Sequence, residues 1–294
     1  MIRLNRILAA TDLSVPARHA TERAALVSKE TTALLDLLHV VNLVPLERLR
    51  QPMALAPDGI QLRVLDAARQ GLDDLAASLR QQYGISAGTH VVAGSLLVEL
   101  AKEADGLAAG LLVCGAKGES VIRHLLLGTT VLRVLSTTTC PVLVVKQAPR
   151  EQYRRLLVPV DFSPSSLRAI RHAQSIATYA EIVLLNVFEV PFKGLLRYAR
   201  VDDDAINYYQ ITAKQEATER LHSLRDEAGL SPQTCRLIVK HGDPVSRIIE
   251  QEKEQGCDLI VIGKHGESAL VELLLGSVTR HVLAESRGDV LVSV

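Results

Sequence analysis

Short apolar runs alternate along this chain with longer stretches in which apolar residues recur every three or four positions. In the second half the runs 156–160, 182–188, 234–239, 259–262 and 290–294 have strand length and are rich in Val, Ile and Leu. Between them, residues 165–178, about 204–227, and 245–255 carry helical spacing. Ser163-Pro164 and Asp243-Pro244 read as helix starts, with a capping side chain followed by proline in the first turn. Strands alternating with helices imply right-handed crossovers and a parallel sheet covered on both faces. On such sheets ligands bind beyond the carboxyl ends of the strands, where the strand order switches.

The same pattern is written twice. Gly115-Ala-Lys-Gly118, nine residues and Gly128-Thr129 form one copy of a glycine motif; Gly263-Lys-His-Gly266, nine residues and Gly276-Ser277 form the other. The second begins 148 residues after the first. Other landmarks follow: Arg6 to Asp12 and Ser14 matches Arg155 to Asp161 and Ser163, His39-Val40 matches Asn186-Val187, and Gly94 matches Gly242. A period this long is a whole domain, not a solenoid unit. The expectation is therefore α/β, with two tandem open parallel-sheet domains, residues 1–147 and 148–294, related by duplication. Asp12 and Asp161 end one strand and Gly115 and Gly263 another, so they converge on one crevice per half. Glycines let backbone amides approach an anion, and a helix starting at Gly-Ser/Thr turns its free amides toward the same phosphates.

Composition narrows the field. With 48% hydrophobic and 22% charged residues, two cored domains need no disulfides. Thirty-three basic residues cancel thirty-three acidic ones, and no basic stripe or aromatic stacking set argues for nucleic acid as a ligand. Cys114, Cys140, Cys235 and Cys257 form no Cys-x-x-Cys pair and no zinc spacing, which suggests structural thiols in a reducing compartment. The opening apolar stretch mimics a signal peptide, but Asp12 interrupts it early. No run reaches the ~18 uncharged apolar residues of a membrane span. The expected location is cytoplasmic, away from membranes.

The aspartate after the first strand, the doubled glycine signature and the closing run Pro141-Val-Leu-Val-Val-Lys146 resemble the universal stress protein family, in its tandem subclass, over nearly the whole chain. The resemblance implies Rossmann-like domains of five strands each, paired in a dimer-like way within the chain or as a homodimer. It implies ATP as the ligand, with Mg2+ carried on its phosphates, and nucleotide-dependent regulation under stress, with a regulatory protein partner of unknown identity. Residue by residue, it places Asp161 beside ribose and adenine and the Val187 backbone against the base. Gly263, Gly266, Gly276 and Ser277 would hold the phosphates through their amides, the Ser277 hydroxyl adding a bond, with Val278 and Thr279 continuing the cradle. In the first half the matching residues are Asp12, Val40, Gly115, Gly118, Gly128 and Thr129. That copy departs from the pattern: Val131 lacks the hydroxyl of Thr279, and Gly110 stands where Asp258 opens the strand.

Blander readings stand beside these. The glycines serve as sheet turns, and Asp12 and Asp161 as caps of the following helices. Lys117, Lys264 and His265 either neutralise phosphate or are solvated, with Arg123 and His124 weaker candidates. Asp36 suits a sheet edge or strand start better than a buried strand, and His39 reads as a core histidine. His241-Gly-Asp243 reads as a turn with a helix cap, since no nucleophile accompanies it. The long connections 43–60 and 189–204 suit lids or partner contacts. No phosphate loop of the Gly-x-x-x-x-Gly-Lys-Ser/Thr type and no carboxylate pair for two metals is present. The sequence thus points to a regulator with no catalytic residues and at most slow hydrolysis; the alternative is a scaffold that binds partner proteins and no nucleotide.

Overall fold

The computed structural model describes residues 3–44, 57–116, 128–189, 203–265 and 275–294. The chain divides into two compact units, Arg3–Gln152 and Tyr153–Val294. In the N-terminal unit the elements run β1 (Arg6–Ala10), α1 (Val15–Thr31), β2 (Leu34–Val41), α2 (Pro57–Tyr83), β3 (Ala87–Ala93), α3 (Leu96–Gly106), β4 (Leu111–Gly115), α4 (Thr129–Thr137) and β5 (Val142–Val145). In the C-terminal unit they run β6 (Arg155–Pro159), α5 (Pro164–Ile176), β7 (Glu181–Phe188), α6 (Asp203–Glu227), β8 (Cys235–His241), α7 (Pro244–Gln255), β9 (Leu259–Gly263), α8 (Ser277–Glu285) and β10 (Asp289–Ser293).

Within each unit the described strands are all parallel, in the orders β3-β2-β1-β4-β5 and β8-β7-β6-β9-β10. The order reverses beside the first strand, between β1 and β4 and between β6 and β9, which is the switch point where such sheets open a crevice. The central strands are apolar on both faces because helices cover both: Ile7, Leu8, Leu112 and Val113 are fully buried in one unit, and Leu156, Leu157, Ile260 and Val261 in the other. The expected strands and helices lie within one or two residues of those observed.

Helix starts explain how the chain leaves the carboxyl ends of the strands. Ser14 caps α1, its hydroxyl accepting from Ala17 N at 3.4 Å with Pro16 in the first turn. Asp243 caps α7, accepting from Ser246 N at 2.9 Å, so His241-Gly-Asp243 is indeed a turn and cap. Hydrogen bonds from the Ser246 hydroxyl and then its backbone hold the Asp243 carboxyl below its ordinary value. Ser163 departs from expectation. Its hydroxyl donates to Asp161 and caps nothing in α5.

Asp36 also corrects the sequence reading. It is the third residue of β2, a strand flanked on both sides, with Leu8 and Gly88 as its register partners. Only 7% of it is exposed. Arg6 Nη1 donates to it at 3.0 Å and His90 Nε2 lies at 3.2 Å. A carboxylate is tolerated inside the strand because the Arg6 guanidinium and the His90 imidazole meet it and Gly88, having no side chain, leaves it room. The four cysteines are free thiols. Burial pushes Cys114 and Cys257 up to about 12 and Cys140 and Cys235 to about 11, so none is a thiolate near neutral pH. Among the described residues no helix is long and apolar enough to cross a membrane.

Candidate functional site

Two loops meet at the switch point of each unit. The first follows β1 or β6. One further ladder bond extends the strand, from Thr11 N to Leu38 O at 2.9 Å and from Val160 N to Leu185 O at 2.9 Å. The chain then turns at the aspartate. Asp161 Oδ1 accepts from Ser163 N at 3.0 Å, Ser163 Oγ at 2.6 Å and Ser166 Oγ at 2.8 Å. Asp12 Oδ1 accepts from Ser14 N at 3.1 Å and from the Ser14 hydroxyl. Both aspartates are exposed. They close the turn before the helix without capping it, since the N-cap residues are Ser14 and Ser163, and the same bonds fix the orientation of each carboxylate. From the next strand, His39 Nδ1 meets Thr11 O at 2.8 Å, and Asn186 Nδ2 donates to Val160 O at 2.9 Å. His39 and Asn186, matched in sequence, therefore do one job: each pins the carbonyl just before the aspartate. The sequence reading of His39 as a core residue missed this; the signal was two hydrogen-bonding side chains at one repeat position.

The second loop follows β4 or β9. Gly118 and Gly266, like Lys117, Arg123 and His124, lie outside the described residues, as does most of the two long connections. The described parts close in the same way in both units. Gly128 N donates to Ala116 O at 2.9 Å, and Gly276 N to Lys264 O at 3.0 Å. This revises the roles read from sequence, because those two amides are already engaged by protein. What Gly276 contributes is its missing side chain: a Cβ there would lie 3.3 Å from Lys264 O and 3.7 Å from Thr279 Oγ1. The amides aimed outward belong to the first turn of α4, from Thr129, and of α8, with Ser277, Val278 and Thr279, since a helix start has no internal acceptor for them. Ser277 is exposed at the helix start.

Thr279 is likewise reassigned. It is buried, and its hydroxyl donates to Gly263 O at 2.8 Å, tying α8 to the end of β9. Val131, its counterpart, is buried in the N-terminal unit. The hydroxyl lost there is thus a structural tie, not a phosphate contact. Gly263 brings the two loops together, since a Cβ on it would lie 3.1 Å from Ser165 Cβ at the start of α5. Asp258 accepts from Arg154 N at 2.8 Å and Arg155 N at 3.3 Å at the amino end of β6, far along the strand from the glycine loop. Its replacement by Gly110 therefore leaves the crevice unaffected.

Beside the switch point of the N-terminal unit, at the carboxyl ends of β2 and β3, lies a cavity of about 620 Å³, within the usual range for small-molecule sites. Val40, Gly94 and Ser95 line one side and Thr130 and Arg133 the other. The backbone turn at its floor is fixed by Gly94 N donating to Val41 O at 3.1 Å; in the C-terminal unit Gly242 N donates to Phe188 O at 3.1 Å, beside Val187. Of the predicted residues, Val40 lines this cavity, while Asp12, Gly115 and Gly128 are not among its described lining. A helix N-terminus and an arginine on the cavity wall suit an anionic ligand. Lys264, 5% exposed, sits in the second glycine loop, and burial holds its ammonium below the ordinary lysine value. No cluster of three or more metal-ligating side chains occurs among the described residues.

A five-stranded parallel sheet whose strand order reverses beside its first strand, repeated once, with an aspartate turn after that strand in each copy, defines a duplicated open α/β fold. The universal stress protein family model matches residues 3–146 and again 152–293. The chain belongs to the universal stress protein family, a stress-response family, and carries two of its domains. A universal stress protein of Methanocaldococcus jannaschii is 29% identical over 152 residues, 48% of this chain and 94% of that protein. A second from the same organism is 34% identical over 143 residues, 48% of this chain and 81% of that protein. Across the full length, the crystal structure of a universal stress protein from Archaeoglobus fulgidus aligns with a TM-score of 0.70 at 21% identity, covering 99% of each chain. That alignment speaks to the fold.

Proposed function

We propose that this chain is a cytoplasmic, ATP-binding stress regulator with one nucleotide cradle per domain and no turnover beyond slow hydrolysis. The observation that carries the reading is the 620 Å³ cavity at the carboxyl ends of β2 and β3, where Val40 faces Thr130 and Arg133 across the α4 start. In this reading the base lies along the strand end at Val40 or Val187. The Asp12 or Asp161 carboxylate accepts the ribose hydroxyls, and the phosphates sit on the first-turn amides of α4 or α8. Mg2+ travels on the phosphates. Arg133 offsets phosphate charge in the N-terminal unit and Lys264 in the C-terminal one. In this reading each cradle belongs to one of the two duplicated domains, and a regulatory protein is the downstream partner.

The test is direct. The protein is purified without added nucleotide and denatured, and released adenine nucleotide is quantified per chain; the apo protein is then titrated with ATP by calorimetry. Binding near two per chain, with no comparable release of phosphate over hours, is the expected result. Failure of the titration at both sites would remove the nucleotide reading and leave a scaffold that contacts partner proteins.

A further inference from the structure

The residue after each site aspartate has a backbone conformation that L-residues avoid. Leu13 has φ of 63° and Phe162 has φ of 66°, both left-handed and neither a glycine. Such a residue persists only where its surroundings over-determine it, and such strain collects at functional sites. The same outlier at the same place in both copies calls for a common cause, and the side chains supply one. Leu13 drops into a notch in α2: a Cβ on Gly71 would lie 3.0 Å from Leu13 Cδ1. Phe162 lies under α6, with Arg220 Cζ 4.0 Å from the centroid of its ring. Gly71 and Arg220 stand at matching positions, each 58 residues after the strained residue. The partners differ chemically, so the contact geometry, and not a particular residue pair, is what the two copies share.

We propose that Leu13 and Phe162 are positioning residues: each latches the aspartate turn to the long helix of its unit and so sets the direction of the Asp12 or Asp161 carboxylate. Pinned on one side by His39 or Asn186 and on the other by this latch, the turn has no freedom to relax into an ordinary backbone. The latch also makes the long helix responsive to occupancy, because a ligand bearing on the aspartate pulls on α2 or α6 through one side chain. The role in binding rests on the nucleotide reading above.

Phe162→Ala keeps the left-handed requirement and removes the ring; Phe162→Leu installs the side chain used in the other copy. Hydrogen exchange of the Ser163 amide, which donates to Asp161, reports the turn without any nucleotide. Calorimetry with ATP and with inorganic tripolyphosphate separates the aspartate from the phosphate end. In the alanine variant, Ser163 exchange should rise about tenfold and ATP affinity at the C-terminal site should fall about tenfold. Tripolyphosphate binding should stay within about twofold, and the leucine variant should restore both changes. Unchanged Ser163 exchange in the alanine variant overturns the latch. Faster exchange with unchanged ATP affinity overturns its role in binding, as does an equal loss of tripolyphosphate. If the wild-type protein binds no ATP, the nucleotide reading fails and the exchange result alone decides the latch.

Discussion

Asp36→Ala is expected to destabilise the N-terminal unit by about 2 kcal/mol. A hydrogen bond to a charged group contributes about 1.5–3 kcal/mol net. Stripping one partner from a fully buried ion pair costs about 3–5 kcal/mol, because the other charge is left desolvated. Asp36 has one charged partner, Arg6 at 3.0 Å, and an imidazole, His90 at 3.2 Å, yet removing it does not strand them. The Arg6 and His90 side chains are each 30% exposed, and His90 keeps Glu103 at 3.6 Å. Both can turn to water, so the cost falls toward the lower range. Urea unfolding followed by far-UV circular dichroism measures the loss. Native-state hydrogen exchange should place it in β1 and β2, since a two-domain chain need not unfold in one step. Pairing Arg6→Met with Asp36→Val, the apolar residue that β7 carries as Val183, should recover at least half of it. A loss below about 0.5 kcal/mol would refute the argument. It would mean that the buried carboxylate was no better off with Arg6 and His90 than without them.

Three further outcomes follow from the geometry. Burial, with Arg168 nearby, holds His172 below the ordinary imidazole value of 6.5. The unfolded chain therefore binds the proton first, and this contribution, complete above 6.5, is lost as pH falls from there through the folded value. His172→Gln should flatten the fall in stability as pH drops below about 6.5; an unchanged slope would exclude His172 as its source. Thr279→Val removes the bond to Gly263 O and should cost about 1 kcal/mol while leaving ATP affinity within about threefold; a tenfold loss of affinity in calorimetry would return Thr279 to the phosphate cradle. Gly71→Ala would add about 1 kcal/mol in an unobstructed helix. Here the new Cβ meets Leu13, so the variant should be neutral or worse, and Leu13→Ala with Gly71→Ala should show coupling above about 0.5 kcal/mol in a double-mutant cycle. Additive effects would mean that the notch is accidental.

The sheet was legible because its information is periodic: β6, β7 and β9 are built on the apolar runs 156–158, 182–185 and 259–262, whose length and spacing admit little else. The crevice was legible from the glycines, since positions that must lack a side chain repeat with the domain. Side-chain pairing was not. Asp36 looked out of place because a strand pattern shows neighbours along the chain, while its partners Arg6 and His90 come from the adjacent strands. Thr279 looked like a ligand residue because it continues a motif; only the fold shows its hydroxyl turned back onto Gly263. Gly128 and Gly276 were assigned to the phosphates for the same reason, and only the hydrogen bonds to Ala116 and Lys264 show their amides engaged.

What the duplication preserved is geometry carried by unlike side chains. The arginine opening each central strand finds a carboxylate in both units, but Arg6 meets Asp36, the third residue of β2, while Arg155 meets Glu181, the first of β7, at 2.7 Å. His39 and Asn186 hold the same carbonyl. Leu13 on Gly71 and Phe162 under Arg220 hold the same left-handed turn. Thr279 and Val131 close the same helix start, one by a hydrogen bond and one by burial. Each exchange alters the chemistry of a contact and leaves the backbone in place, and the backbone, through strand ends and helix-start amides, is what faces the crevice. If the two sites bind the same ligand, their affinities should therefore differ mainly through side chains such as Arg133, which lines the N-terminal cavity and whose place in the repeat is taken by His281. Arg133→Ala should weaken ATP at the N-terminal site by about tenfold, a loss that shrinks as salt rises, with the C-terminal site unmoved. Equal weakening of both sites in the same calorimetric titration would show that the difference between the walls does not govern binding.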